Sequence, residues 1–313
     1  MEVKLKYFSE FVLLLITLLW GATFTIVKES LHDINPMLFI ALRFSLATIF
    51  ILPFVYKYKL HFQYSSVKAG MILGALMFFS FAAQTIGLKF TTATKSGFLT
   101  GTLVVLIPIF QYFIEKKKPS TGAIVGVVIV FIGIIFLSSG GNSIFTFLTD
   151  LGKNLNQGDV FTLVCAVLFA VHVVLLDVFS KRENIFVLFF MQIAITAFLA
   201  LLFSFIFNYS QVERIKFVYT DNLIFGLIYT AFFATIITTA LQTKYQQFVQ
   251  PTNAGIIYSF EPIFAALIAF FALNEKITNF GLVGCFLIFI GLISSEIFEG
   301  INGKWKSKKA ELK

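Results

Sequence analysis

The amino-acid sequence predicts an all-α integral membrane protein whose ten transmembrane helices form two inverted five-helix repeats. Three observations predict this fold class: an apolar composition, ten stretches long enough to cross a bilayer, and an internal duplication. The 313 residues are 58% hydrophobic and 13% charged, with a mean hydropathy of +0.90, whereas an average soluble domain is about 25% charged. A soluble fold has no interior large enough to hide that much apolar surface.

Ten apolar stretches have the length of a membrane-crossing helix. Such a helix needs about 20 mostly apolar residues, because backbone polar groups in lipid must be paired within the helix. The first stretch follows Lys4 and Lys6 like a secretory signal, but it is long and lacks a small-residue cleavage site, so we expect it to be retained. The predicted spans are 11–28, 36–56, 69–88, 92–114, 120–138, 158–179, 185–207, 222–243, 251–273 and 278–298.

Lysine and arginine residues are divided unevenly between the two sides of the predicted membrane. Loops rich in these residues are preferentially retained in the cytoplasm. With the N-terminus inside, sixteen lie on the cytoplasmic side: Lys4, Lys6, Lys57, Lys59, Lys68, Lys116, Lys117, Lys118, Lys181, Arg182, Lys244, Lys304, Lys306, Lys308, Lys309 and Lys313. Seven lie on the other side: Lys28, Lys89, Lys95, Lys153, Arg214, Lys216 and Lys276. We therefore predict a multi-pass protein of the cell (plasma) membrane with both termini cytoplasmic. The net charge of +8 indicates topology and no nucleic-acid partner.

The two halves of the chain share a repeated pattern. The segment from Gly101 to Pro108 matches the segment from Gly255 to Pro262. Each half then holds five spans, and because five is odd, the second half must enter the membrane in the opposite orientation. Inverted repeats of this kind are typical of secondary transporters, which bind their substrates near the bilayer midplane between the halves. The predicted organisation is a first five-helix repeat over 1–138, a connecting loop over 139–157, a second repeat over 158–298 and a basic cytoplasmic tail over 299–313.

The order and spacing of several short segments resemble a known family, the drug/metabolite transporter superfamily, and within it the EamA-type exporters. The resemblance covers essentially the whole chain. It implies a ten-helix fold with a central cavity, and export of amino acids, nucleobase-like compounds or drug-like solutes by alternating access. The segments that carry it are Trp20-Gly-Ala-Thr-Phe24, Arg43-Phe44, Gly97-Phe-Leu-Thr-Gly101 leading to Pro108, Gly158-Asp159, Glu261-Pro-Ile-Phe-Ala265 and Asn274-Glu275-Lys276.

Ionisable residues inside the predicted spans are the first candidates for a functional site, because each costs about 2.5–3.5 kcal/mol to insert into a membrane. Glu261 precedes Pro262, which opens a helix locally. It serves either as a proton or cation site or as a carboxylate that locks two helices together. Arg43 serves either as an anion site or, as we favour, as the charge partner of an acidic residue. His172 is a cavity candidate or a hydrogen-bonded packing residue.

Neutral polar and aromatic residues complete the set of candidates. In a cavity they supply hydrogen bonds to a solute, and between helices they serve as packing contacts. The substrate-cavity candidates of this kind are Trp20, Gln84, Gln192, Tyr229, Gln242, Tyr258 and Ser259.

The sequence contains no pattern typical of an enzyme or of an ATP-driven pump. It has no phosphate-binding loop, no HExxH and no GxSxG, so we predict no catalytic residue, no metal and no cofactor. The predicted partners are a small-molecule substrate and the lipid bilayer. Small residues at four-residue spacing, as in Gly70/Gly74, indicate close helix packing within one chain, with a homodimer as the alternative. A membrane-embedded enzyme and a non-transporting sensor or scaffold stay as rival functions.

Overall fold

The computed structural model describes residues 2–58, 61–138, 155–273 and 278–311. Within these residues the chain is almost entirely helical and contains no strand. One antiparallel bridge joins Ile34 to Phe217 between two loops. The predicted all-α fold class is confirmed.

The described residues form thirteen α-helices, a π-helical segment at Phe232–Ile237 and a short 3₁₀ turn at Gln246–Phe248. Three sets of helices follow one another end to end. They are Ala93–Gly101 with Leu103–Glu115, Asp221–Ala231 with the π segment and Thr238–Tyr245, and Pro251–Tyr258 with Glu261–Leu273. The helices therefore make ten rods, each of which coincides with one predicted span. In chain order they are α1 (Glu2–Ser30), α2 (Pro36–Lys57), α3 (Tyr64–Phe90), α4 (Ala93–Gly101), α5 (Leu103–Glu115), α6 (Thr121–Ser138), α7 (Gln157–Ser180), α8 (Ile185–Tyr209), α9 (Asp221–Ala231), α10 (Thr238–Tyr245), α11 (Pro251–Tyr258), α12 (Glu261–Leu273) and α13 (Asn279–Glu311).

Seven stretches of the described helices are long and apolar enough to cross a bilayer by themselves, and two shorter apolar helices accompany them, at Thr121–Leu137 and Asn279–Ser295. The ninth rod is divided into α11, with 8 residues, and α12, with 13. The seven stretches are Lys4–Ser30, Pro36–Lys57, Tyr64–Phe90, Lys95–Glu115, Gln157–Ser180, Ile185–Tyr209 and Asp221–Phe248.

The interruption of the ninth rod lies at Ser259 and Phe260. Pro262 has no N–H to donate to the carbonyl of Tyr258, four residues earlier, so the α-helical hydrogen-bond ladder cannot continue through this point. The amide of Phe260 donates instead to Ile257 O, three residues back, at 3.0 Å. The local opening predicted before Pro262 is present, and it sets Glu261 at the start of a new helix.

Small residues bring helices α6 and α13 into close contact. A Cβ added at Gly133 would lie 2.9 Å from Gly284 O, and one added at Gly291 would lie 3.0 Å from Gly126 O. Glycine permits this approach because it has no side chain. The Gly70/Gly74 pair likewise packs within the chain, against residues of α8.

The surface of the rods is apolar where a soluble protein is polar. Phe198, Leu201 and Phe205 on α8 are 61%, 50% and 68% exposed. Polar residues on the same helix, such as Gln192 and Thr196, are fully buried. Large exposed apolar surfaces mark contact with another apolar phase, which agrees with a lipid-exposed perimeter.

Some predicted features lie outside the described residues. They are residues 139–154 of the connecting loop and the Asn274-Glu275-Lys276 segment. Helix α13 continues to Glu311, through most of the predicted tail. Cys165 is a buried free thiol and Cys285 a half-buried one.

Candidate functional site

A cavity that is partly open to the outside lies among seven of the ten rods, and the space not occupied by protein atoms in and at the mouth of this cavity is about 690 Å³. Rods from both predicted halves contribute to it: α1 to α5 from the first, and α7, the eighth rod and α11 with α12 from the second. The lining residues are Trp20, Thr23, Arg43, Phe44, Met77, Phe81, Gln84, Thr100, Leu103, Phe169, His172, Val173, Ala234, Thr235, Thr239, Gln242, Tyr258 and Glu261. The wall is therefore mainly apolar and aromatic, with a few convergent polar groups, as is usual for a small-molecule site.

The segments matched by the internal duplication cross beside this cavity. A Cβ added at Gly255 would lie 2.7 Å from Ile107 Cδ1, and one added at Gly101 would lie 3.9 Å from Pro262 Cγ. The helix breaks after Gly101 and before Glu261 fall at this crossing. Thr100 on α4 and Glu261 on α12 lie next to these two helix breaks, and both line the cavity.

Arg43 links the two predicted halves of the chain, because it lies on α2 and its side chain binds residues of the eighth rod. It is only 3% exposed, and its guanidinium donates from Nε to Thr235 Oγ1 at 2.8 Å and from Nη2 to Ala234 O at 2.9 Å. The cation also lies over the ring of Phe81, 4.6 Å from its centroid. No acidic residue pairs with it in the described part of the chain, so the acidic partner expected from the sequence is not among its contacts.

The π-helical segment of the eighth rod supplies the groups that hold Arg43. A π-turn widens the helix by one residue and frees a carbonyl from the regular hydrogen-bond ladder. Here both Ala234 and Thr235 lie within the segment and bind the guanidinium. Sequence analysis missed this contact, and the available signal was the pair of threonines, Thr235 and Thr239, one helical turn apart in an apolar span.

Glu261 reaches the cavity from the start of α12. Its side chain forms no hydrogen bond or ion pair with any described residue. The backbone at Glu261 lies close against α1: a Cβ added at Gly21 would lie 3.0 Å from Glu261 O. The cavity thus holds a cation and a carboxyl group that do not pair with each other.

Three side chains form a closed polar network at another part of the cavity. Tyr258 donates its hydroxyl to Gln246 Oε1 at 2.8 Å, while Gln242 Nε2 lies 3.2 Å from the Tyr258 hydroxyl and 3.1 Å from Gln246 Oε1. Gln246 Nε2 in turn donates to Val173 O at 2.7 Å. Trp20 packs edge-on against Tyr258, with ring centroids 5.5 Å apart. These contacts fix the orientation of the polar wall.

His172 and Gln84 supply further polar groups. His172 Nε2 lies 2.9 Å from Gln192 Oε1, while its Nδ1 is buried and has no partner among the described residues. Gln84 Nε2 lies 3.4 Å from Thr100 Oγ1. Both residues line the cavity.

The structure places three sequence-predicted candidates outside the cavity lining. Gln192 is fully buried behind His172. Tyr229 donates its hydroxyl to Leu19 O at 3.0 Å, and Ser259 donates to Gly255 O at 3.0 Å. The Tyr229 hydroxyl therefore joins two rods, and the Ser259 hydroxyl bonds a carbonyl of its own helix. The cavity instead gathers Thr23, Thr100, Thr235 and Thr239, which sequence reasoning did not single out.

Two ion pairs, each with a buried carboxylate, lie at the two ends of α7. On the side predicted to be extracellular, Lys95 Nζ lies 2.6 Å from Asp159 Oδ2, and Thr91 donates to Asp159 Oδ1 at 2.7 Å. On the predicted cytoplasmic side, Lys181 Nζ lies 2.6 Å from Asp177 Oδ2 in an i, i+4 pair, as the sequence spacing indicates.

Comparison with known proteins identifies the family. The sequence model of the EamA-like transporter family matches residues 8–139 and 156–295. A protein of Archaeoglobus fulgidus named as an uncharacterized transporter is 33% identical over 288 residues, which are 92% of this chain and 85% of that protein. The uncharacterized transporter YoaV of Bacillus subtilis is 25% identical over 287 residues, which are 88% of this chain and 92% of that protein.

A solved crystal structure has the same fold. It superposes with a TM-score of 0.73 at 16% sequence identity and covers 92% of this chain and 97% of its own. At that identity the likeness concerns the fold alone.

Proposed function

The chain belongs to the EamA-like transporter family and is a membrane transporter, and from this premise we propose that it exports a small zwitterionic metabolite by alternating access. The observation that carries the proposal is that a basic and an acidic side chain, Arg43 and Glu261, line one cavity without an ion pair between them. A solute that bears both charges satisfies both groups at once.

The chemistry of each end fits this assignment. Two of the Arg43 N–H groups are used by Thr235 and Ala234, and a guanidinium has five, so donors are left for a solute carboxylate. Glu261 offers an acceptor for an ammonium group. The rings of Trp20 and Phe169 also line the cavity and suit an apolar or aromatic part of the solute.

The architecture supports alternating access. The cavity lies between rods of both predicted halves, and secondary carriers built from inverted repeats move such halves around a central site. The ion pairs Lys95–Asp159 and Lys181–Asp177 lie at opposite helix ends. Lys95–Asp159 joins α4 to α7, and we infer that this contact opens when the cavity opens to that side.

The test is transport by the purified full-length protein in liposomes. The solute panel contains the zwitterions L-tryptophan, L-serine, L-glutamine and glycine betaine, the cation choline, the anion succinate and the neutral solute uracil. We expect net movement of at least one zwitterion and none of choline or succinate, each of which carries charge of one sign only. If no solute moves while the protein is folded, the proposed carrier function is wrong. If only uracil, choline or succinate moves, the assignment of a zwitterionic substrate is wrong.

The Arg43→Gln variant tests the anion end of the site. A hydrogen bond to a charged group contributes about 1.5–3 kcal/mol, so we expect transport of the zwitterion at low concentration to fall at least about tenfold. Arg214→Gln is the matched control, because Arg214 is exposed in a loop. Equal transport by the two variants would contradict a role for Arg43 in binding.

The direction of transport is tested in cells. With both termini cytoplasmic and the exporter orientation, overproduction of the protein should lower the cellular content of the transported zwitterion. Overproduction of the Arg43→Gln variant should leave it unchanged. A rise in cellular content would reverse the assigned direction while leaving the liposome result intact.

A further inference from the structure

His172 forms part of the cavity wall and is held from behind by a buried amide. The ring is 2% exposed, on α7. Its Nε2 atom lies 2.9 Å from Gln192 Oε1 on α8. The geometry of this amide decides which ring nitrogen carries the proton.

The backbone of α8 fixes the orientation of the Gln192 amide. Gln192 Nε2 lies 3.2 Å from Leu188 O and 3.2 Å from Thr243 Oγ1. A peptide carbonyl only accepts hydrogen bonds, so the amide atom beside Leu188 O must be the NH₂ group. The atom beside His172 is then the amide oxygen, which also only accepts. His172 Nε2 must therefore be the donor.

This assignment leaves an acceptor on the other side of the ring. A neutral imidazole that carries its proton on Nε2 has a lone pair on Nδ1. The Nδ1 atom of His172 is buried and has no hydrogen-bond partner among the described residues. A buried polar atom without a partner is unfavourable because it has lost its hydrogen bonds to water, and this one belongs to a residue that lines the central cavity.

We propose that Nδ1 of His172 accepts a hydrogen bond from an uncharged N–H or O–H group of the transported solute. The proposal rests on the proposed function and narrows its substrate class to zwitterions that also carry a hydroxyl, amide or ring N–H donor. Gln192 is a positioning residue, because it touches His172 and holds the Nε2–H tautomer. A solute without such a donor leaves the acceptor unpaired, and this penalty discriminates against it.

The first test reads the tautomer directly. The full-length protein, labelled with ¹⁵N-histidine and embedded in lipid nanodiscs, is examined by NMR at neutral pH. The chain has three histidines, and the His172→Leu variant identifies the signal of interest. We expect a protonated Nε2 and an unprotonated Nδ1. A proton on Nδ1, or a doubly protonated ring, would overturn the proposal whether or not transport is found.

The second test uses solute pairs that differ only in the donor. The pairs are L-tryptophan with 1-methyl-L-tryptophan and L-serine with O-methyl-L-serine. We expect the donor-bearing member of at least one pair to shift the Nδ1 resonance and to be transported about tenfold better than its methylated partner, as loss of one hydrogen bond implies. If the members of both pairs are transported equally and no solute shifts the resonance, His172 does not accept a hydrogen bond from the solute. If only donor-free solutes such as glycine betaine move, the proposal is also wrong.

Three substitutions separate recognition of the solute by His172 from a packing role. An asparagine side chain offers an amide oxygen close to the position of Nδ1, so His172→Asn should keep the preference for the donor-bearing solute. His172→Leu should reduce that preference by about tenfold. Gln192→Leu should also reduce it, because the tautomer is no longer held. If all three variants lose stability and keep the wild-type preference, His172 has a packing role only.

Discussion

At the residue scale, the carboxyl group of Glu261 faces the cavity without a hydrogen bond or an ion pair among the described residues. The groups near it include Cys165 on α7, and Arg43 lies elsewhere on the same wall. A carboxyl group in this position can take up a proton in one step of the cycle and release it, or bind the ammonium group of a solute, in another. Its alternative role as a helix lock has no contact to support it.

We predict that Glu261→Gln removes the pH dependence of transport. Glutamine keeps the size of the side chain but does not titrate, so rates measured between about pH 5.5 and 8.5 should become nearly flat. Glu29→Gln is the matched control, because Glu29 is exposed at the end of α1. The measurement is the initial rate in liposomes with buffered interiors. A variant with the wild-type rate and pH profile would exclude proton exchange at Glu261.

Sequence patterns identify the unusual residues of the cavity but not the residues that bind them. Arg43 and His172 stand out in the sequence because charged or titratable groups inside a span are rare. Their partners do not stand out. The contacts with Thr235 and Gln192 join residues far apart in the chain, and no local pattern relates the two members of either pair.

At the element scale, the close contact of α6 and α13 depends on glycines at positions without room for a side chain. A Cβ at Gly133 would lie 2.9 Å from Gly284 O and 2.9 Å from the backbone nitrogen of Ile288. Backbone atoms cannot rotate away from an added methyl group as a side chain can. The two helices would have to separate.

We predict that Gly133→Ala lowers the thermal stability of the protein, whereas Gly97→Ala does not. Overpacking typically costs about 1–3 kcal/mol. The nearest atom to a Cβ at Gly97 is Phe24 Cε2 at 4.0 Å, and alanine in a helix interior is favoured over glycine by about 0.5–1 kcal/mol. Thermal unfolding in detergent measures both. Equal midpoints for the two variants would show that α6 and α13 tolerate a wider separation.

The break between α11 and α12 is predictable from the sequence, whereas the π-helical segment of the eighth rod is not. The division between α11 and α12 follows from Pro262, since proline removes one backbone donor at a known position. The π-helical segment at Phe232–Ile237 has no such marker, because neither proline nor glycine occurs in it. Its wide turn accompanies the binding of Arg43 by Ala234 and Thr235, which is a tertiary contact.

At the scale of the whole molecule, the orientation in the membrane is a prediction from the distribution of lysine and arginine residues. Ten membrane crossings, the number predicted from the sequence, would place both chain ends on one side. Lys118, after α5, and Arg214, after α8, are exposed in loops that the sequence assigns to opposite sides. Their labelling therefore tests the orientation.

We predict that a membrane-impermeant maleimide added to intact cells labels the Arg214→Cys variant and not the Lys118→Cys variant. Both are made in a background with Cys165→Ala and Cys285→Ser, which removes the natural thiols. Both should react once the cells are permeabilised. Labelling of Lys118→Cys alone in intact cells would invert the topology and exchange the assigned sides of the two ion pairs.

The sequence by itself determined the helical membrane fold, the positions of the rods and the charged residues worth examining. These follow from local causes, because hydrophobic length, proline and buried charge act on the chain wherever they occur. Only the tertiary structure decided which polar residues share the cavity. Thr100 and Thr235 line the cavity, whereas the Tyr229 hydroxyl bonds a neighbouring rod and the Ser259 hydroxyl bonds its own helix. The reason is physical: each polar side chain inside a bundle must find a partner, and whether that partner is a neighbouring carbonyl or a solute depends on how distant helices are packed.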